Sequence, residues 1–166
     1  TGTTLSDGSY AITAAAMDAS GNTSAASSAL NITVDTAAPV APAVTTITDD
    51  TGTASDGITS DNQLIITGTA EANASVEVFI DAGSIGTTTA DGSGNWSFDH
   101  TSTTLADGSY AITAAATDAS GNTSSTSSAL NITIDTSAPS APTVAAITDD
   151  TGTASDGITS DNQLII

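Results

Sequence analysis

The sequence predicts an all-β protein built from tandem sandwich domains. Three observations carry that expectation: a long internal repeat, short runs of alternating apolar residues, and turn residues spaced regularly between them. Residues 1–66 recur at residues 101–166 with scattered changes. TGTTLSDGSYAITAAAMDASGNTS returns as TSTTLADGSYAITAAATDASGNTS, and ITDDTGTASDGITSDNQLII is identical at 47–66 and 147–166. The offset of 100 residues is the size of one sandwich domain and far too long for a solenoid unit. The 166 residues therefore hold one full period and two pieces.

Breaking the chain at Gly, Pro and Asp clusters gives seven strands in one period. Strand A is expected at about Pro42–Ile47, after the proline-bearing hinge Asp35–Pro42. A polar loop, Thr48–Asn62, leads to strand B at Gln63–Thr69. Strand C is Ser75–Asp81, with Val76, Val78 and Ile80 facing one way. Two further strands follow, Ile85–Ala90 and Asn95–Thr101, the second placing Trp96 and Phe98 on one face. Strand F is Tyr110–Thr117, and strand G is Ala129–Asp135 with Leu130, Ile132 and Ile134 inward. The alanine runs Ala14–Ala16 and Ala114–Ala116 follow the alternating Tyr-Ala-Ile-Thr and read as strand rather than helix. Seven short strands with regular turns describe an immunoglobulin-like β-sandwich.

Leu105–Tyr110, repeated at Leu5–Tyr10, fits the turn in which a tyrosine hydroxyl bonds back to the main chain. Trp96, the sole tryptophan, could be a sugar-stacking platform. The sequence favours a core plug, because Phe98 shares its face and no second aromatic lies nearby. The frame places one complete domain at residues 37–136. Residues 1–36 are expected to carry strands F and G of a preceding domain, and residues 137–166 strands A and B of a following one.

Charge narrows the partners. With no Lys or Arg and 19 acidic residues, the formal charge is −19. Such a surface repels nucleic acid and anionic lipid and attracts cations, so neither nucleic acid nor membrane insertion is expected. No cysteine supplies a disulfide, and the lack of lysine excludes Lys–Asn isopeptide cross-links. No signal peptide or transmembrane run is present in these residues.

Alternating strand direction puts the A–B loop, with Asp49, Asp50, Asp56 and Asp61, at the pole where strand G ends at Asp135. The F–G loop, with Asp118 and Asn122, lies at the other pole, facing the preceding exit at Asp35. Two carboxylates about 5 Å apart repel by ~3 kcal/mol at an effective dielectric near 20. A converging set without basic partners needs protons or a metal. Oxygen-only ligands select hard cations, and six to eight of them suit Ca²⁺. The competing reading is a solvated acidic surface. The clustering of these aspartates in loops favours calcium, although no EF-hand loop or RTX nonapeptide is present.

The run from the V/I-D-T-x-A-P-x-A-P linker through D-D-T-G, D-x-I-T-x-D, G-T-A-E, A-D-G-S-G-N-W-S-F and L-A-D-G-S-Y to T-D-A-S-G-N resembles the bacterial Ig-like repeats of giant type I-secreted RTX adhesins. It is also similar to repeats of large non-fimbrial adhesins and biofilm matrix proteins. The resemblance covers the whole period and both partial copies. It implies an extracellular stalk at the bacterial cell surface, a spacer between the cell anchor and distal adhesin domains, supporting cell adhesion and biofilm formation. It also implies Ca²⁺ at domain junctions, an extended rod, and neighbouring repeats as partners. The matching positions here are Asp35, Asp49, Asp50, Asp56, Asp61, Asp118, Asn122 and Asp135.

Two other functions compete. Asp50-Thr51-Gly52 and Asp150-Thr151-Gly152 contain the D-T-G triplet of aspartic peptidases, which need two aspartates sharing a proton. Here each falls in a separate repeat, after an aspartate where the peptidase pattern has an apolar residue, and no enzyme is expected. A glycan- or surface-binding Ig-like module wants exposed aromatics, and an ice binder wants a flat threonine lattice. Neither pattern is present. Six Asn-x-Ser/Thr sequons, Asn31-Ile32-Thr33 among them, are expected by chance in so Ser/Thr-rich a chain, and no glycan is assigned.

Overall fold

The computed structural model describes residues 2–144 and residue 160. Strands A and B of the third copy are expected within residues 137–166, of which 145–166 apart from Ser160 lie outside the described residues. Among the described residues there are ten strands, and all belong to one compact unit, Thr1–Thr136. A two-stranded hairpin comes first, β1 (Gly8–Ile12) with β2 (Leu30–Val34). Then come β3 (Ala43–Ile47), β4 (Ile58–Thr59), β5 (Ile65–Thr69), β6 (Ser75–Ile80), β7 (Gly83–Thr89), β8 (Asn95–Asp99), β9 (Gly108–Thr117) and β10 (Leu130–Ile134).

These eight strands form two sheets, one of order β4-β10-β9-β6-β7 and one of order β3-β5-β8. Every pairing is antiparallel except β4 with β10. The seven strands read from sequence alternation all form, with ends shifted by a residue or two. β4 is the exception: it lies inside Thr48–Asn62, which the sequence presents as loop. Two residues are too few for alternation to register, and β4 exists only because the edge of β10 is there to pair with.

The core lies between the sheets. Alternation delivers Val76 and Val78 from β6, Ile112 and Ala114 from β9, and Ile132 and Ile134 from β10, all buried. Trp96 is 3 % exposed and belongs to this core, as its shared face with Phe98 predicts. Its slot depends on Gly68, directly across the strand pair. A Cβ there would collide with the Trp96 ring and with the Ala43 carbonyl, so only glycine lets the indole cross β5. The Trp96 Nε1 is buried without a hydrogen-bond partner, and we have no physical account of it.

Both tyrosine corners are present. The Tyr110 hydroxyl donates to the Ala106 carbonyl at 3.0 Å, and the Tyr10 hydroxyl to the Ser6 carbonyl at 2.7 Å. The β6–β7 turn places Asp81 and Ala82 at φ 50° and 65°, the left-handed pair that a two-residue hairpin needs to match strand twist.

Candidate functional site

Two stretches hold the sequence-predicted ligands, and they behave differently. The first is the turn after β9. Asp118 closes it: its Oδ1 accepts the main-chain amides of Ser120 (2.8 Å) and Asn122 (2.9 Å), and its Oδ2 accepts Asn122 Nδ2 (2.9 Å). Aspartate forms such turns because its short carboxylate reaches amides two and four residues ahead. The Asn122 side-chain bond holds the Asp118 carboxyl below its usual pKa; desolvation opposes it, and the amides of Asn122, Ser120 and Gly121 add to the lowering.

Asp35, the residue after β2, reaches this same turn. Ser120 Oγ donates to Asp35 Oδ2 at 3.2 Å, and Asn122 Nδ2 donates to the Asp35 carbonyl at 3.1 Å. The next residue is fastened in the other direction: Thr36 donates to Asp7 Oδ1 from its amide (3.1 Å) and its hydroxyl (2.8 Å). Asp35 and Thr36 are thus tied to the following copy and to their own hairpin at once. Pro39 and Pro42, which fix their own φ, are both buried in the segment that follows. The structure therefore brings Asp35, Asp118 and Asn122 together, as strand direction predicts.

The second stretch is the loop Thr48–Asn62, and here expectation and structure part. Asp50 Oδ2 accepts the amides of Ser55 (2.7 Å) and Gly57 (3.4 Å). Asp56 Oδ1 takes the Ile58 amide at 2.9 Å, and Asp61 Oδ1 the Gln63 amide at 3.0 Å. Asp49 sits at φ 62° and contributes its carbonyl to the Thr59 hydroxyl at 2.8 Å. Asp56 does not lie at the pole beside Asp135. It borders a shallow recess with Asp81 and Asn131 on the outer face of the five-stranded sheet. The loop doubles back before β4, so the carboxylates of Asp50, Asp56 and Asp61 point to successive backbone amides instead of to one centre. Among the described residues, no three acidic or histidine side chains come together as a metal-holding group. Asp135 follows β10 as Asp35 follows β2, and its amide donates to the Thr59 carbonyl at 2.9 Å.

A hard cation is therefore tested differently by the two stretches. At the turn after β9 the groups that converge are two carboxylates, the Ser120 hydroxyl and the Asn122 carboxamide, whose Nδ2 donates to both aspartates, so its oxygen would face a cation only after the amide turns over. That chemistry fits Ca²⁺, with main-chain carbonyls and water needed to complete six or more ligands. The loop 48–62 offers scattered single carboxylates and does not fit. Asp50 is a brace for its own loop, and its other oxygen, Oδ1, is buried without a hydrogen-bond partner. Asp150, the second D-T-G aspartate, lies outside the described residues. His100 is half-buried, stacked on Phe98 at 6.1 Å between ring centroids.

Sequence reasoning missed Thr59. It is 1 % exposed, and its hydroxyl donates to the Asp49 carbonyl while receiving the amides of Thr51 (3.3 Å) and Asp61 (3.0 Å). The signal that pointed to it was D-G-I-T-S-D, unchanged in both copies.

The family model for the bacterial Ig-like domain matches residues 38–136, more than half of the chain. The chain belongs to the bacterial Ig-like domain family. Among solved structures it is similar to the fibronectin(III)-like modules of Clostridium thermocellum CbhA, with 20 % identity and a TM-score of 0.43. That match covers 78 % of this chain and 64 % of the other. No curated protein matches the sequence. The bacterial Ig-like domain of this chain is thus an all-β sandwich whose matched span contains β3 to β10.

Proposed function

We propose that this chain is a run of spacer repeats from the stalk of a large extracellular bacterial adhesin of the type I-secreted kind, with no catalytic role. In this reading residues 37–136 are one domain, 1–36 the end of the domain before it, and 137–166 the start of the next. The stalk carries distal adhesin domains away from the bacterial surface and so supports adhesion and biofilm formation. One observation supports it above the others: Asp35 and Thr36 are fastened to opposite sides of a repeat boundary, Asp35 to Ser120 and Asn122, Thr36 to Asp7. A hinge held on both sides is what a stiff tandem array needs, and the buried prolines that follow remove further freedom.

Calcium is the cation proposed for this boundary, held by the oxygens of Asp35, Asp118, Ser120 and Asn122. It would neutralise facing carboxylates that have no Lys or Arg to pair with. The test is small-angle scattering of a four-repeat protein with and without chelator, read beside circular dichroism and thermal melting. Chelation is expected to shorten the maximum dimension while leaving strand content in place. Calcium at about 100-fold above its dissociation constant is expected to add about 2.7 kcal/mol of stability. Equal dimensions and equal melting temperatures in both states would overturn the calcium-stiffened stalk.

A further inference from the structure

We propose that the hairpin β1–β2 carries a docking face for a second copy of this chain, in which it takes the place of β9–β10. The proposal needs the repeat alone; neither calcium nor the stalk reading enters it. Among the described residues no third strand pairs with β1 or β2. Their apolar side chains stay open to water: Ile12 is 46 % exposed and Leu30 64 %. The surface that fits this face is the one that nearly the same sequence already fills 100 residues later.

There, Ile112 to Thr117 of β9 lie along Ile80 to Ser75 of β6, and Ile112, Ile132 and Ile134 close the core with Leu64, Val76 and Val78. The hairpin β1–β2 presents the same strand register and the same tyrosine corner. It also repeats a serine ladder beyond the corner. Ser24 and Ser27 accept the amides of Ala16 and Ala14, as Ser124 and Ser127 accept those of Ala116 and Ala114. The incoming hairpin is therefore already shaped for the site. Exchanging an equivalent element between two copies makes no new kind of contact, which is why it is a low-cost route to a dimer.

What separates the two hairpins is small. Residues 1–36 and 101–136 differ at six positions. In the resident copy four of these are exposed, Ser102, Ala106, Ser125 and Thr126, and Thr117 is half-buried. Only the sixth lies in the core: Val34 stands where Ile134 is 1 % exposed. On the core alone the resident hairpin is thus favoured roughly fivefold, the ratio that about 1 kcal/mol for one methylene gives. The junction adds to that preference. In the place of β10, β2 would end where the Asp135 amide now meets the Thr59 carbonyl, and Asp35 would leave Ser120 and Asn122.

The test uses two forms of the full 166-residue chain, which has no cysteine of its own: one with Ala15→Cys, the other with Glu77→Cys. Ala115, the counterpart of Ala15, is the register partner of Glu77. A disulfide between the two forms therefore requires β1 of one chain to lie on β6 of the other, since the bond spans only a short Cα separation. The forms are mixed in urea and refolded together in a glutathione buffer, and mass spectrometry measures the heterodimer. Glu71→Cys, at an exposed position outside the strands, replaces Glu77→Cys as the control. The expected result is more heterodimer than in the control, and roughly five times as much when the Ala15→Cys form also carries Val34→Ile. Should Glu77→Cys fail to fold, sedimentation of the cysteine-free chain carries the comparison, with Val34→Ile expected to raise the dimer constant by the same factor. A heterodimer no greater than the control, or a yield indifferent to Val34→Ile, would overturn the proposal. A chain with both cysteines that cross-links only to itself would place the exchange within one chain and remove the second copy as partner.

Discussion

The hairpin β1–β2 and the pair β9–β10 are nearly the same sequence in two surroundings. Their registers are identical: Gly8 to Ile12 pairs with Val34 to Leu30, and Gly108 to Ile112 pairs with Ile134 to Leu130. Both carry the tyrosine corner, and both cap the strand exit with an aspartate, Asp7 on Thr36 and Asp107 on Thr136. Yet β1 is five residues long and β9 is ten. The extra length of β9 is the stretch paired with β6, where Thr113 to Thr117 face Phe79 to Ser75. Burial follows the same line. Ile112 is 0 % exposed and Ile12 46 %, and Ala114 and Ala116 are buried while Ala14 and Ala16 are exposed. Local sequence sets the register and the turn; a neighbouring strand and the facing sheet set the length and the burial.

The hardest way to break this comparison is to delete the same methyl groups on both sides. Ile112→Ala is expected to cost about 2–5 kcal/mol, as a cavity in a closed core does. Ile12→Ala should stay within about 0.5 kcal/mol, as an exposed change does. Urea denaturation of the two variants reads the difference. Equal losses would mean that the hairpin is packed as tightly as its copy.

A smaller effect separates the serines. Ser127 Oγ accepts the amide of buried Ala114 at 3.0 Å, and Ser27 Oγ accepts that of exposed Ala14 at 3.1 Å. The two bonds match in geometry and differ in access to water. Ser127→Ala should strand a shielded donor and cost about 1–3 kcal/mol. Ser27→Ala leaves the Ala14 amide to the solvent, so its melting temperature should scarcely move. A drop of similar size in both would show that geometry rather than shielding sets the cost.

The smallest expected effect sharpens what the two copies share. The Asn22 side chain and then the loop amides lower the pKa of Asp18, as Asn122 and its loop amides lower that of Asp118. A carboxyl whose folded pKa lies below its unfolded value stabilises the fold at pH above the unfolded value. That contribution is lost as pH falls through the folded one. NMR titration in calcium-free buffer should find both aspartates titrating below the ordinary carboxylate range of about 3.9. Asp18→Asn and Asp118→Asn should each remove a slight acid-side loss of stability. A normal pKa at either turn would mean that its loop is open in solution.

Much of the fold was legible because it is periodic. Val76, Val78, Ile132 and Ile134 alternate cleanly, and a strand with one buried face writes that face into its sequence. The junction was legible in part, since strand direction brings Asp35 toward Asp118 and Asn122 without knowledge of any contact. The loop 48–62 was not. Its aspartates were read as a converging set, whereas the carboxylates of Asp50, Asp56 and Asp61 each serve a nearby amide, because short polar side chains in a loop satisfy their own backbone first.

By itself the sequence determined the repeat, seven of the eight strands in the full period, the tyrosine-corner turns, and an anionic surface without basic partners. Turn chemistry and a two-residue period act over a few residues and need no other part of the molecule. Tertiary structure alone decided that β1 stops at Ile12 while its copy β9 runs on to Thr117, that Gly68 opens a slot for Trp96, and that β4 forms against β10 around a buried Thr59. Each of these depends on a strand distant in sequence arriving to pair or pack, and a local pattern holds no record of that arrival.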